Sequence, residues 1–377
     1  MRIVHLADSH LGFSSYSHLD QHGLNRMEEK VYSGFEKAIE RILQIRPDAV
    51  VHAGDVFHHV RPKIKPLFVF QRALRRLQEA GVPLVVISGN HDSPKSYSQL
   101  SPFRLFEGLD GVHIAHRYKY ERYDLGEYRF HCIPYCLEPQ DYLEEARRIE
   151  RSGHDVLVMH GLVEALRSRR MRSVGEHELS DSLLKGDFDY IALGHLHAQT
   201  QISGNAWYSG SVDYFNFGEA GERKGMLLVD LDARRADHID VAEKYMEDLL
   251  VDCSGLSSEE IMERLAEICQ EETIRDRMVR VTLSGVDRSS YRSIDQSRLR
   301  RMGASAIYLK IRPEFQDEES VVGRPVDRPR LHEEFGAFLR ESGERIPAAI
   351  RDEVVEYGSE VMRRAVAAGM AWDDVPQ

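Results

Sequence analysis

The 377-residue chain, 42% hydrophobic and 30% charged, can bury a full core and is long enough for two or three domains. No apolar stretch approaches bilayer length and Met1–His10 lacks a signal-peptide core, so a cytoplasmic protein without membrane contact is expected. A net charge of −12 argues against nucleic-acid binding through bulk charge, and four cysteines without a CxxC pair read as buried thiols.

Residues 1–235 read as one α/β domain in which short Val/Ile/Leu-rich runs behave as buried parallel strands. Arg2–Ala7 leads into Asp8-Ser9-His10. Met27–Leu43 follows as a helix with Val31, Phe35, Ile39 and Ile42 on one face. Ala49–Ala53 runs into Gly54-Asp55-Val56-Phe57-His58. A second helix, Leu67–Ala80, is stopped by Gly81-Val82-Pro83. Leu84–Ser88 leads into Gly89-Asn90-His91-Asp92, Val156–Met159 into His160-Gly161, and Tyr190–Leu193 into Gly194-His195-Leu196-His197. Short strands at Gln199–Ile202, Ala206–Tyr208 and Met226–Leu231 close the domain.

A small α+β domain is predicted over 242–313: strand Leu249–Cys253, helix Ser257–Cys269 capped by Ser257 or Ser258, strand Met278–Leu283, helix Ser297–Met302 and strand Ala306–Ile311. Its stretch from Arg275 to Arg312 holds ten bases, Arg298, Arg300 and Arg301 among them, against three acids, a local basic surface suited to phosphate backbones. A solvated Arg-rich helix face is the plainer reading. Residues 314–329, after Pro313, read as a linker. Two amphipathic helices follow in 330–377, with stripes Leu331, Phe335, Phe338, Leu339 and Ile350, Val354, Tyr357, Val361, Ala365 that call for a partner surface, the alternative being that they fold back on the first domain.

Ligands of open α/β sheets bind beyond the carboxyl ends of the strands, so five such ends would bring Asp, Asn and His side chains together. Carboxylate, amide and imidazole without thiolate suit manganese, iron or zinc. Two cations need a shared ligand; a carboxylate bridges comfortably, and Asp55 is the natural bridge. Asp8 and His10 are spaced to reach one metal, while His195 and His197 could each serve either. Asn90 adds a neutral oxygen. His91 would face the pocket as a proton donor to a leaving oxygen. His5, His52, His113, His116 and His131 lack this context and read as core or surface residues, and Asp92 as a turn residue.

The set Asp-x-His, Gly-Asp-x-x-His, Gly-Asn-His-Asp, His-Gly and Gly-His-x-His resembles the signature of the calcineurin-like metallophosphoesterases. Asp8-Ser9-His10-Leu11-Gly12, His52 through His58 into Arg61-Pro62, Phe217-Gly218-Glu219 through Lys224-Gly225 to Leu231, and Val251 through Ser257 are similar to the SbcD-type double-strand-break repair nucleases. That resemblance implies a layered α-β-β-α sandwich carrying a DNA-capping domain and C-terminal helices. It implies two manganese ions, with magnesium, iron or zinc as other occupants. One would be held by Asp8, His10, Asp55 and His197, the other by Asp55, Asn90, His160 and His195. It makes His91 the catalytic acid and His58, rather than neighbouring His59, the residue assisting the scissile phosphate. It further implies a homodimer, association with the nucleoid, DNA contacts at Arg61 and in the capping domain, and an SbcC-type ATPase docked on the terminal helices. The chain departs from the family at Gly210-Ser211-Val212-Asp213-Tyr214-Phe215, a loop expected to touch substrate. Two other functions fit less of the chain: a small-molecule phosphodiesterase, which leaves the Arg-rich domain idle, and a non-catalytic scaffold, which leaves the intact ligand set idle.

Overall fold

The computed structural model describes residues 1–316 apart from 16–22, 24, 97, 167–177 and 242. Four strands, β1 (Arg2–Leu6), β2 (Ala49–His52), β3 (Leu84–Ile87) and β4 (Val112–Ala115), lie parallel in one sheet. Strands β5 (Glu121–Leu125), β6 (Tyr128–Ile133) and β7 (Asp155–His160) begin a second sheet, and β8 (Leu162–Val163) pairs with β9 (Glu178–Leu179) beside it. The second sheet continues with β10 (Tyr190–Gly194), β11 (Thr200–Gln201) and β12 (Ala206–Tyr208), giving the order β11-β12-β10-β7-β6-β5. The chain then returns to the first sheet with β13 (Gly225–Asp230), antiparallel to β1, and β14 (Arg235–Asp240) outside it. The five strands that precede the ligand clusters are therefore split, three in one sheet and two in the other.

Strand alternation sorts the side chains into layers. Ile3, Val51, Val85 and Ile87 from the first sheet meet Phe130, Cys132, Val156, Val158 and Ala192 from the second in a closed apolar interior. The opposite face of the first sheet, with Val4, Leu6, Val50 and Val86, packs under helices α1 (Arg26–Ile45) and α2 (Ile64–Glu79) through Val31, Phe35, Ile39, Phe70 and Leu74. The outer face of the second sheet is covered by helix α3 (Pro139–Ala146) through Tyr142. The result is the α-β-β-α sandwich.

Beyond it, β15 (Met246–Asp252), β16 (Met278–Val286) and β17 (Tyr308–Phe315) form a parallel three-stranded sheet. Helix α4 (Ser258–Ile268) starts at a full capping box in which Ser257 and Glu260 satisfy each other's backbone N–H groups. Short helices α5 (Glu271–Ile274), α6 (Arg288–Arg292) and α7 (Gln296–Met302) complete the unit around its own apolar cluster.

Three expectations change. Strands β4 to β6 and helix α3 are additional to the elements expected from sequence; β5 and β6, ERYDL and YRFHCI, carry charge and aromatics in place of an apolar run. Met226–Leu231 does not end the first domain at 235, since β14 pairs along it to Asp240. The linker does not start after Pro313, which lies inside β17; that strand forms a sheet edge, where a missing N–H is tolerated. Residues 330–377, with Leu331, Phe335, Phe338, Leu339, Ile350, Val354, Tyr357, Val361 and Ala365, lie outside the described residues. All four cysteines are buried and unpaired. Among the described residues no helix is long and apolar enough to cross a membrane.

Asp155, fully buried at the start of β7, accepts from the Ser152 and Gly153 N–H groups at 2.7 and 2.8 Å and faces His131 Nε2 at 2.8 Å. Burial pushes its carboxyl up, but the His131 and backbone hydrogen bonds prevail and hold it below its ordinary value. Asp155→Ala strands these donors and is expected to lower unfolding stability by about 2–3 kcal/mol in urea titrations at neutral pH. Because the folded-state value is depressed, this stabilisation is present above the ordinary carboxylate range. The difference from the unsubstituted chain should shrink as pH falls through the depressed value.

Candidate metal centre

The ligand clusters meet because the loops after β1 and β2 bond to each other. Asp8 N–H donates to Gly54 O at 3.0 Å, His10 N–H to Asp55 O at 3.0 Å and Leu11 N–H to Val56 O at 2.8 Å. Asp92 pins the next loop: one carboxylate oxygen accepts from Gly89 N–H at 2.6 Å, the other from Val56 N–H at 2.6 Å and Phe57 N–H at 3.3 Å. The turn role expected for Asp92 is thus a tie between two loops. From the second sheet, His195 N–H donates to both oxygens of Asp8 at 3.0 Å.

The approach is so close that side chains are excluded at two points. A Cβ at Gly89 would lie 2.6 Å from Asp55 N and collide with Asp55 Oδ1, and one at Gly194 would collide with Ala53 O and His160 Nδ1. The backbone itself is forced: Asp8, His10, Asp55 and His195 have φ of 52°, 42°, 54° and 108°. Left-handed non-glycine residues concentrate where geometry is needed for function, at about 1–3 kcal/mol each.

Besides an all-histidine trio of His10, His58 and His91, two carboxylate-containing groups of ligand atoms result, Asp8 with His10 and His197, and Asp55 with His160 and His195, each within 4.8 Å of one another. Asp55 joins them: its Oδ2 lies 3.3 Å from His160 Nε2 and 3.8 Å from His10 Nε2. Asn90 Oδ1 sits 2.9 Å from His160 Nε2 and 3.1 Å from His195 Nδ1. All seven residues proposed from sequence converge here.

The imidazoles are oriented by what their other nitrogens bond. His160 Nδ1 faces Ala53 O at 2.8 Å and His197 Nδ1 faces Glu219 Oε1 at 2.9 Å, so each carries its proton there and turns Nε2 inward. His197 Nε2 then meets His10 Nε2 at 3.1 Å. Carboxylate, amide and imidazole groups without thiolate face one another, the ligand types of a divalent-cation site. Asp55 is pushed up by burial, but His160, His91 and His10 outweigh this and hold it well below the usual carboxylate range. Asp8 is pushed up by burial. Burial lowers His160, yet the Asp55 carboxylate lifts it to about 9, and burial drives His10 well down.

His91 donates its backbone N–H to Asp55 Oδ1 at 2.8 Å, and its Nδ1 lies 3.1 Å from His58 O, which leaves Nε2 unengaged by that bond. The His58 ring stacks on His91 at 5.0 Å, its Nδ1 is 3.3 Å from His10 Nδ1, and burial pushes it down to about 3. His59 is exposed beside it.

Residues that sequence reading left without a role also build the centre. Phe215 packs its ring against His10 and His197 at 4.9 and 5.1 Å, and Glu219 with buried Lys224 backs His197. The 217–224 stretch contributed to the family resemblance, but a contact spanning 22 residues leaves no local pattern. His5 bonds Tyr190, His52 bonds Ser9, and His131 bonds Asp155, all in the interior.

Two expectations are corrected. The Val212-Asp213-Tyr214 loop is buried, with Asp213 only 1% exposed; it accepts from Tyr245 O–H at 2.8 Å and lies against Gly34 of α1, so it joins elements rather than lining a substrate surface. The Arg-rich stretch is partly neutralised from outside its own window, by Glu247 on Arg277, Asp248 on Arg280 and Glu271 on Arg275. Arg298, Arg300 and Arg301 are exposed on α7 and make no ion pair among the described residues; Arg61 is exposed three residues beyond His58.

The sequence profile described as Calcineurin-like phosphoesterase matches residues 1–199, the part of the chain that supplies every one of these ligands. The chain belongs to that family. It is also 30% identical over 256 residues to the DNA double-strand break repair protein Mre11 of Methanocaldococcus jannaschii, a match covering 64% of this chain and 65% of that protein. Mre11 of Sulfurisphaera tokodaii is 30% identical over 261 residues, 65% of this chain and 64% of the relative. These matches span a little under two thirds of the relatives' length.

Gly89→Ala should weaken metal binding at least about tenfold, because Asp55 must move although no ligand is changed. Gly204→Ala, whose Cβ meets nothing within 4 Å, is the control. Equal metal content in the two variants after dialysis against dilute manganese would contradict the steric account.

Proposed function

We propose that this phosphoesterase is a manganese-dependent DNA nuclease, acting as exonuclease and endonuclease in an SbcCD-type double-strand-break repair complex. The observation that carries the reading is Asp55, whose single carboxylate faces both ligand groups, with His91 bonded to its other oxygen. Asp8, His10, Asp55 and His197 would hold one ion, and Asp55, Asn90, His160 and His195 the second. When bound, two such cations neutralise a phosphodiester and lower the pKa of water.

The chain's own residues supply the rest. His91, anchored at its N–H and at Nδ1, keeps Nε2 available to give a proton to the leaving oxygen. His58, stacked on it and neutral because burial lowers it, offers a hydrogen bond to phosphate without adding charge. Arg61 and the exposed Arg298, Arg300 and Arg301 provide cations for a phosphate backbone, which a small phosphodiester would not need. The similarity to Mre11 proteins over 256 residues, beyond the 199 of the family profile, favours DNA over a small molecule. Residues 330–377, with their apolar stripes, are the proposed dock for an SbcC-type ATPase, and a homodimer is the proposed assembly.

With manganese, the purified chain should degrade linear duplex DNA and nick single-stranded circles. Hydrolysis of a chromogenic phosphodiester without any cleavage of DNA would reject the nuclease reading in favour of a small-molecule phosphodiesterase. His91→Ala should reduce DNA cleavage at least about 100-fold while still binding two manganese ions per chain. Loss of an ion in that variant would make His91 a ligand instead of an acid.

A further inference from the structure

We infer that the buried Glu219–Lys224 ion pair is a positioning device for His197, fixing the tautomer that turns His197 Nε2 toward Asp8 and His10. The inference rests on the two-ion reading and assigns residues that the ligand set does not include.

Glu219 is 5% exposed and Lys224 2%, so each charge depends on the partners the fold gives it. Glu219 uses both oxygens. Oε1 accepts from His197 Nδ1–H at 2.9 Å and Asn216 Nδ2–H at 2.6 Å; Oε2 accepts from Phe215 N–H at 3.0 Å and Lys224 Nζ at 2.8 Å. Lys224 Nζ reaches further, to Ser211 Oγ at 2.9 Å, Glu222 Oε2 at 2.7 Å and the backbone carbonyl of His197 itself at 3.2 Å. The ammonium therefore grips His197 twice, through its carbonyl and through the carboxylate that holds its ring.

The placement in the fold adds a reason. His197 follows β10 in the second sheet, whereas Lys224 immediately precedes β13, which pairs with β1 and so neighbours the Asp8 loop. The pair thus ties a ligand from one sheet to the sheet carrying its co-ligands. A glutamine at 219 has only one acceptor oxygen and cannot serve His197 and Lys224 together.

The test is calorimetric titration of the metal-free protein with manganese chloride, comparing the unsubstituted chain with Glu219→Gln and Lys224→Met. Both variants should weaken one of two binding events by about 10- to 100-fold and leave the other unchanged. Lower melting temperatures with two unaltered binding events would make the pair structural only and overturn the inference. If a variant fails to fold, nitrogen-15 spectra of the unsubstituted metal-free chain decide, with the His197 signals assigned by their loss in His197→Asn. At alkaline pH, where the imidazole is neutral, protonation of His197 at Nδ1 alone is expected, and protonation at Nε2 alone overturns the inference. Fewer than two ions on the unsubstituted chain would instead strike the two-ion reading itself.

Discussion

The Asp55 carboxylate is the interaction on which the rest of this structure depends. One oxygen receives the His91 N–H; the other faces His160 from the second sheet and His10 from the first. To reach it, loops after four different strands crowd into contact, which explains why glycines precede Asp55, Asn90 and His195. It also explains why Asp8, His10, Asp55 and His195 all take left-handed backbone conformations. Strain of about 1–3 kcal/mol per residue persists only where surrounding bonds over-determine the geometry. The Asp8–Gly54 and His10–Asp55 backbone bonds and the threefold grip of Asp92 do so here.

The sandwich is the means of bringing those loops together. Two sheets packed through an apolar interior align the carboxyl ends of β1, β2 and β3 with those of β7 and β10, so ligands 187 residues apart in sequence, Asp8 and His195, share hydrogen bonds. Buried carboxyls away from the ligand set do related work. Asp213, lifted to about 7 by burial, connects α1, its own loop and Tyr245 at the entrance to the third sheet. The small α+β unit is thereby rooted in the same layer that backs His197.

The candidate ligands were legible in the sequence because each is local: an apolar run that ends in Asp, Asn or His within a few residues, with a glycine directly before Asp55, Asn90 and His195. The helices α1, α2 and α4 were legible for the same reason, through periodicity and, at Ser257, a capping box. What was not legible depends on distant partners. Strands β5 and β6 carry charge between apolar residues and declare themselves only by pairing. Glu219, Lys224 and Phe215 gain their roles from residues tens of positions away. The Arg-rich stretch read as more basic than it is because Glu247, Asp248 and Glu271 lie outside the counted window, and Pro313 read as a linker because an edge strand accepts it.

A crystal of the protein grown with manganese, with anomalous diffraction collected at the manganese edge, tests the central claim most directly. The account predicts two peaks about 4 Å apart on either side of the Asp55 carboxylate, one beside Asp8, His10 and His197 and the other beside Asn90, His160 and His195. A single peak, or a pair in which Asp55 touches only one ion, would contradict it.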